Sequence, residues 1–410
     1  MPRKELASAV TAMLALAVVA FPAPEITRVS TSVTQGRRAR VKVDYHVSEA
    51  AIVLCDVMTN VADGVYASIG PKRQMTFVGD VGHKVEPGNR SFTWKAGVDC
   101  PSNRIADVKV RLTAYPTNRP PSYLVVDLSP DAAERYRYYA SAETIPGFPD
   151  SDVYRTQKLV MTFIRAKNIP WTMGAYGETA SNGNEQPHVV RLRSNYWMAV
   201  FETTVGQRAW FSDGSVADKS STMPLCRFGT YNTLRGEGAL YPSAPSSDSV
   251  LGKLRARTGI PFDLPSEAQW EYAAKAGHGE NLWGDGSEMT CFNLTNGVGL
   301  AAFVYTGGAV VRGGRHLPND FGLYDMMGNV KEACLDWYQT DISWNTNGVV
   351  NAQGSSLSDG VAAGTQRVCR GGYYAATMDD LRPSNRNGAQ KPDNWVDGFG
   401  FRVATTFGLE

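Results

Sequence analysis

Thiol and imidazole side chains are scattered along this sequence rather than grouped for metal or nucleophile chemistry. The six cysteines show neither a CxxC spacing nor the Cys/His alternation of a zinc site. The five histidines are also isolated, and lone histidines are more often satisfied surface or core residues than ligands. Zinc is therefore not indicated. The cysteines are Cys55, Cys100, Cys226, Cys291, Cys334 and Cys369, and the histidines are His46, His83, His188, His278 and His316.

The cysteines leave the disulfide question open. Six cysteines in a long chain are compatible with an oxidising compartment. Cys55 with Cys100, and Cys334 with Cys369, are the two pairings to test first. Buried free thiols are an equally good interpretation of each pair.

Aromatic and amide side chains are concentrated near the C-terminus. Tyr and Trp present rigid amphipathic area, whereas Asn, Asp and Arg supply adaptable hydrogen bonds. This composition is typical of a recognition surface, although an ordinary polar loop contains the same residue types. The candidate ligand-binding residues are Tyr373, Tyr374, Thr377, Asp379, Arg382, Asn385, Arg386, Asn394 and Trp395.

The charge balance argues against a nucleic-acid partner. Across the 410 residues, 41 Lys and Arg stand against 40 Asp and Glu, a formal net charge of +1. The sequence contains no block of basic residues interleaved with aromatics, which is the pattern that binds a phosphate backbone. We therefore expect a peptide, protein or glycan ligand; the sequence does not predict the oligomeric state.

The N-terminus predicts export. Arg3 and Lys4 precede an apolar run from Leu6 to Phe21 that is short for a membrane span, as in a signal peptide at 1–23. A retained signal anchor is the alternative. No second run of spanning length follows, so we expect a secreted, periplasmic or cell-surface protein without a further transmembrane segment.

Two units are expected to position these residues, since the chain exceeds the length of one typical domain. Residues 25–128 alternate apolar and polar side chains between turn residues, which predicts an all-β, immunoglobulin- or fibronectin-like sandwich with Trp94 in its core. Residues 129–155 form a connector. Residues 156–410 are rich in Gly, Trp, Tyr and Asn and predict a compact irregular domain.

Two short helices are predicted inside the second unit. Ser266 and Gln269 form a capping box before an apolar face, and Gly277 ends the helix. The other helix spans about 248–258 and ends at Gly259.

Collinear motifs carry a family resemblance from about 169 to 403. They are LPSEAQWEYAA at 264–274, WGD at 283–285, FGLYDMMGNVKE at 321–332, RVCRGG at 367–372, RPSNR at 382–386 and GFGFRV at 398–403. In this order they resemble the formylglycine-generating-enzyme, or sulfatase-modifying-factor, family. The resemblance implies an irregular α+β domain, a variant of the C-type-lectin fold.

The resemblance also implies where catalysis would occur. Ala376 and Leu381 stand where the catalytic members carry two cysteines that bind copper(I) and oxidise a substrate cysteine to formylglycine. Copper(I) needs soft thiolate ligands, which neither side chain offers, and no cysteine follows Cys369. Copper oxidase chemistry is therefore disfavoured. Iron held by three histidines of a helical neighbour, as in other relatives, does not match this chain.

A structural calcium ion is the metal that the resemblance favours. Its ligands would be the side chains of Asp325 and Glu332 and the carbonyls of Gly328 and Val330, which are hard oxygen donors around a tight turn. Alternatively, the two acids cap turns or face water. Lys331 replaces a family Trp beside them, which predicts a changed wall near this loop.

The favoured prediction is an exported, non-oxidase binding protein of this family, because the family's peptide cleft runs through the segment with Tyr373. One alternative is a formylglycine-generating oxidoreductase acting on a sulfatase cysteine. Another is a lectin-like receptor diversified by retroelements.

Overall fold

The computed structural model describes residues 23–101, 107–175, 184–214, 216–226, 229–278, 301–302, 308–349, 366–377, 379–386, 391–394 and 397–409. The predicted signal run, the motif at 283–285, Cys291 and Trp395 lie outside these residues. Within them, no helix is long and apolar enough to cross a membrane.

The N-terminal unit consists of two antiparallel sheets. One sheet has the order β1-β2-β7-β5, and the other has the order β4-β3-β6 with β8 also pairing with β3. The elements are β1 Ile26–Thr34, β2 Arg40–Val47, β3 Ala51–Ala62, β4 Val65–Ser68, a 3-10 turn Pro71–Arg73, β5 Phe77–Gly79, β6 Lys84–Val85, β7 Gly88–Trp94, α1 Ala96–Asp99 and β8 Val108–Pro116.

Period-two alternation builds the core between these sheets, as the sequence predicts. In β2 the side chains of Val41, Val43, Tyr45 and Val47 are buried while their neighbours are less so. Trp94 is buried in the same cluster, and its indole N–H donates to Asp99 Oδ2 at 2.7 Å. The predicted core role of Trp94 is confirmed; immunoglobulin-like connectivity stays a prediction.

The second unit is built around a five-stranded sheet of order β10-β9-β11-β14-β20. Among the described residues, three small sheets lie beside it, of order β12-β13, β15-β16 and β18-β17-β19. The elements are β9 Tyr123–Asp127, β10 Tyr136–Tyr139, a 3-10 turn Ala142–Thr144, α2 Val153–Thr156, β11 Lys158–Ile164, β12 Pro170–Met173, β13 His188–Arg191, β14 Tyr196–Ala199, α3 Val205–Arg208, α4 Tyr231–Arg235, α5 Val250–Thr258, α6 Glu267–Ala274, β15 Ala301–Ala302, β16 Met327–Gly328, β17 Lys331–Trp337, β18 Arg367–Arg370, a 3-10 turn Asp379–Leu381, β19 Phe399–Gly400 and β20 Ala404–Thr405.

Strand pairing places β9 and β10 in this second unit. The sequence pattern assigned β9 to the sandwich and β10 to the connector, yet β9 pairs along its length with β11 of the large sheet. Alternation within one strand reveals which side chains are buried but not which sheet the strand joins. The second unit thus recruits residues that precede 129.

Both predicted helices are present with their caps. Ser266 accepts from Gln269 N at 3.1 Å while the Gln269 side chain accepts from Ser266 N at 2.9 Å, so the capping box of α6 is confirmed. Helix α5 ends at Gly259, which has φ +72°. Helix α6 ends at Ala274, earlier than the predicted stop at Gly277.

Cys334 and Cys369 are not joined by a disulfide. Strand alternation places Cys334 in one hydrophobic cluster and Cys369 in another, on opposite faces of the sheet formed by β17 and β18. Cys55 and Cys100 are also free. Neither of the two pairings considered from the sequence is formed.

Candidate ligand site beside the Gly371–Gly372 pair

The turn after β18 brings Ala376 and Leu381 together. Gly372 has φ +68°, and a Cβ built on it would lie 2.8 Å from Leu381 Cδ2 and 3.3 Å from Ala376 Cβ. Both side chains are buried, at 3% and 0% relative exposure. The two positions therefore meet across a glycine, and they present a methyl and an isobutyl group there.

A small cavity of about 70 Å³ lies at this point. Burial raises the pKa of the Cys369 thiol to about 12, although the positive charge of Lys331 acts to lower it. The thiol is consequently protonated at neutral pH, and the protonated form is a poor nucleophile. The cavity is lined by Lys331, Cys369, Gly371, Gly372, Tyr373, Ala376, Asp380 and Asn385.

Two partly exposed tyrosines mark this place: Tyr373 lines the cavity, and Tyr374 packs against Tyr373. The rings of Tyr373 and Tyr374 meet edge to face with centroids 5.3 Å apart, and Lys331 Nζ lies 4.6 Å from the centroid of Tyr373. Thr377 is exposed beside them, and its hydroxyl donates to Asp380 Oδ2 at 2.8 Å. We call Lys331, Tyr373, Tyr374 and Thr377 the Tyr373 surface. Lys331, which replaces a family Trp, supplies its positive charge.

Arg382 lies beneath this surface rather than on it. Its guanidinium donates to both oxygens of buried Glu185, at 2.6 and 2.9 Å. A bidentate pair with so little solvent contact fixes the chain and leaves no donor face toward a ligand. The predicted ligand-contact role is therefore corrected to a supporting one.

Arg386 and Asn385 are interior residues as well. Arg386 Nε donates to Glu267 Oε1 at 2.7 Å and its Nη1 donates to the carbonyl oxygen of Gln339 at 2.7 Å. Asn385 is 5% exposed and reaches the small cavity. Asn394 is exposed, the side chain of Asp379 is not described, and Trp395 lies outside the described residues.

An interior charge network behind the site was not identified from the sequence. Glu271 accepts from Gly174 N at 2.7 Å, from Lys275 Nζ at 2.8 Å and from Arg370. Burial raises the pKa of Glu271, but the charges of Lys275 and Arg370 lower it further, to about 2. The only sign of this network in the sequence is the spacing of Glu267, Glu271 and Lys275 at i, i+4 and i+8. The same spacing is typical of an exposed helix face, so it does not indicate burial.

The predicted calcium ligands are buried, and they fit a cation only in part. Asp325 Oδ1 has no hydrogen-bond partner although it is buried, which suits an oxygen-seeking cation. Glu332 does not fit, because Arg402 and Trp270 occupy both of its oxygens at 2.6 to 2.8 Å. Within the described part of the chain, no group of three His, Cys, Asp or Glu side chains is arranged to hold a metal ion.

Glu202 is a further buried acid beside this turn. It accepts from Asn329 Nδ2 at 2.6 Å and from Val330 N at 3.0 Å, so it fixes the turn that carries the predicted ligands. Burial, together with the charges of Asp325 and Glu332, raises the pKa of Glu202 well above its ordinary value. Glu202 was not among the ligands predicted from the sequence.

Comparisons with known proteins agree with the motif order. The family model described as "Sulfatase-modifying factor enzyme 1-like domain" matches residues 170–407. A "Formylglycine-generating enzyme" of Thermomonospora curvata is 34% identical over 155 residues, which are 34% of this chain and 48% of that protein. A "Serine/threonine-protein kinase pkn1" of Chlamydia pneumoniae is 36% identical over 141 residues, 34% of this chain and 20% of that protein. The chain thus spans between about a fifth and a half of these relatives.

Two solved structures are also similar. "Treponema denticola variable protein 1" superimposes with a TM-score of 0.46 at 21% identity, covering 60% of this chain and 95% of that one. PvdO from Pseudomonas aeruginosa superimposes with a TM-score of 0.46 at 20% identity, covering 60% and 93%.

Proposed function

The chain belongs to the sulfatase-modifying factor enzyme 1-like domain family, and from this premise we propose that it is a binding protein without copper oxidase activity. The observation that carries the proposal is that Ala376 and Leu381 both lie against Gly372. Copper(I) needs thiolates, and these two side chains offer only hydrocarbon. Cys369 lines the adjacent cavity, where it supplies a single thiol rather than a pair.

The Tyr373 surface is the proposed binding face for a peptide, protein or glycan. Its paired aromatic rings supply rigid contact area, while Lys331 and Thr377 supply a charge and a hydroxyl at the rim. The buried Arg382–Glu185 and Arg386–Glu267 pairs hold the segment from below. A face held in this way loses little conformational entropy when it binds.

The proposal also covers the location of the protein in the cell and its metal ion. The apolar N-terminal run supports export, with an immunoglobulin-like sandwich as a spacer beside the binding unit. Calcium stays part of the proposal only at Asp325, whose unpartnered oxygen supports it. When bound there, the ion would hold the turn that carries Asn329 and would not take part in chemistry.

Copper titration tests the negative half of the proposal. We expect the purified protein to bind no copper(I) in competition with a chelator, and to consume no oxygen with a cysteine-containing peptide. The double variant Ala376→Cys/Leu381→Cys should gain copper(I) binding, and the single variant Ala376→Cys is the matched control. Tight copper binding and oxygen uptake by the natural protein would overturn the proposal.

Peptide and glycan arrays test the positive half. A retained ligand should be lost in Tyr374→Ala and kept in Trp344→Ala, since Trp344 is an exposed aromatic outside the Tyr373 surface. Equal loss in both variants, or no retained ligand on either array, would contradict binding at this surface.

A further inference from the structure

A large cleft opens where the N-terminal sheets meet β10. Its volume is about 600 Å³, within the ~300–1,000 Å³ common for small-molecule sites, and domain junctions are favoured places for them. It shares no lining residue with the cavity under the Tyr373 surface. We call it the junction cleft.

Strand register builds the first wall of the junction cleft. In the antiparallel pair of β3 and β8, Ile52 lies opposite Tyr115, Leu54 opposite Thr113, and Asp56 opposite Arg111. These alternate residues share the face that points away from the sandwich core. Ile52 is buried in the core of the second unit, and the partly buried Leu54 and Tyr115 pack against that core while they also line the cleft. The opposite end, which carries Thr113, Asp56 and Arg111, lines the open cleft.

Polar groups on this wall are fixed by a hydrogen-bond network. Asp56 Oδ1 accepts from Ser68 Oγ at 2.6 Å and from Gln74 Nε2 at 3.0 Å, while Asp56 Oδ2 accepts from Arg111 Nη2 at 2.7 Å. Gln74 Oε1 accepts in turn from Val57 N at 2.6 Å. Donors and acceptors therefore alternate over a short distance in set orientations.

The second wall is aromatic and comes from the other unit. The partly buried Tyr139 of β10 lines it, whereas the ring of Tyr138 is buried in the core behind it, and the Arg137 guanidinium stacks on Phe77 with 5.1 Å from Cζ to the ring centroid. Tyr138 N donates to Gly82 O at 2.8 Å, and a Cβ on Gly82 would lie 2.7 Å from Arg137 Cζ. Gly82 has φ +85°, a conformation that favours glycine, and the absence of a Cβ there lets the Arg137 side chain lie against the backbone of the first unit.

We propose that the junction cleft is a binding site for a neutral saccharide, distinct from the Tyr373 surface and independent of the function proposed for it. Sugar rings offer C–H faces that pack on aromatic rings and hydroxyl groups that both donate and accept. The cleft presents the partly buried rings of Phe77, Tyr115 and Tyr139. Beside them it presents the alternating Asp56, Gln74 and Arg111 groups.

Charge selects a neutral ligand over an anion or a hydrocarbon. Arg111 is paired with Asp56 at 2.7 Å and Arg137 with Glu134 at 2.8 Å, so the cations in the walls are already balanced. An anionic ligand would face the fixed carboxylate of Asp56. A purely apolar ligand would strip water from that ion pair without replacing its hydrogen bonds.

Calorimetry on the full chain with mono- to trisaccharides of glucose, galactose, mannose and N-acetylglucosamine tests the proposal. At least one neutral sugar should bind, and its charged counterpart, glucuronic acid or glucose 6-phosphate, should bind more weakly. Arg111→Ala should weaken binding by about tenfold or more, because it removes charge-assisted hydrogen bonds. Thr113→Trp should abolish binding by filling the cleft.

Two control variants distinguish binding in the junction cleft from binding elsewhere on the protein. Lys42→Ala removes a similar exposed partner of an aspartate, Asp44 at 2.8 Å, from the other sheet and should leave sugar binding unchanged. Tyr374→Ala separates the two surfaces: it should remove any binding at the Tyr373 surface and leave the binding that depends on Arg111 in place. Arg111 is 65% exposed, so its removal should not unfold the protein if Thr113→Trp does.

The proposal is overturned if no neutral sugar binds, if the charged sugars bind better, or if binding survives both cleft variants. Loss of sugar binding in Tyr374→Ala with retention in Arg111→Ala would move the sugar to the Tyr373 surface and overturn the proposal as well.

Discussion

Arg382 and Glu185 form a bidentate ion pair that is almost closed to solvent. We predict that Arg382→Met destabilises the protein by about 3–5 kcal/mol, because it leaves the Glu185 carboxylate buried without a partner. The double variant Arg382→Met/Glu185→Gln should recover part of that loss. Urea unfolding measures both free energies.

A surface pair provides the control for this prediction. Lys253→Met breaks a 2.9 Å contact with the exposed Asp213 and should cost less than about 1 kcal/mol. If Arg382→Met cost no more than Lys253→Met, Arg382 would have no supporting role, and its assignment to the ligand surface would be restored.

Glu271 should make the stability of the folded protein depend on pH. Its pKa is lowered from 4.5 to about 2, so it is more acidic in the folded chain than in the unfolded one. A depressed carboxyl pKa contributes stability that is present above the unfolded pKa and is lost as pH falls. We therefore expect a loss of about 3 kcal/mol from this group between pH 4.5 and pH 2.

The variant Glu271→Gln isolates that contribution. It should be less stable at pH 7, since Lys275 and Arg370 lose their charged partner, and it should lose less further stability below pH 4.5. The measurement is the urea midpoint of both proteins from pH 2 to pH 7. Parallel curves for the two proteins would contradict the assigned pKa.

Sequence patterns could identify the segment that forms the site but not how deeply its residues are buried. The tyrosines and arginines were found by composition, and Ala376 and Leu381 by the motif. Burial of Arg382 and Arg386 depends on Glu185 and Glu267, which lie 197 and 119 residues away along the chain. No local pattern encodes a partner at that distance, so charged side chains looked like surface groups.

Helix α6 is the element that supports the site from behind. It carries Glu267 and Glu271, and Trp270 on it donates to Glu332 Oε2 at 2.7 Å. Its capping box satisfies backbone N–H groups that the first turn leaves unpaired. The ends of this helix therefore affect the position of several ion pairs at once.

Removing the cap should weaken the whole element. Ser266→Ala is expected to lower the free energy of unfolding by about 1 kcal/mol, because the Gln269 N–H loses its acceptor. Ser266→Thr retains a hydroxyl at the same position and should lose less. Thermal unfolding compares the two, and equal losses would show that side-chain volume at this buried position, rather than capping, determines the effect.

Element prediction succeeded where the signal was local. Ser249, Gly259 and the Ser266 box are neighbours of the helix ends that they define, so α5 and α6 were readable from the sequence. Strands β9 and β10 were assigned to other units because their partners are chosen by tertiary packing. Strand β17 was not predicted, because its first residues belong to the segment that was interpreted as a calcium-binding turn.

At the scale of the whole molecule, β3 connects the two units through its two faces. Ala51, Val53 and Val57 point into the sandwich core, whereas Ile52 belongs to the main cluster of the second unit. A strand that is apolar on both faces is the sequence sign of such double burial. The sequence predicts two units separated by a connector at 129–155, and this docked face shows that the two units share a core.

Neighbouring substitutions on β3 should therefore act on different units. Ile52→Ala removes a side chain from the shared core, with an expected cost of about 2–5 kcal/mol, and should speed amide hydrogen exchange in β9 and β10. Val53→Ala faces the sandwich and should speed exchange in β2 and β7 instead. Hydrogen–deuterium exchange with mass spectrometry resolves these segments. If both variants changed only the sandwich strands, the units would not be coupled through Ile52, and the junction cleft would lack the rigid wall on which its ligand depends.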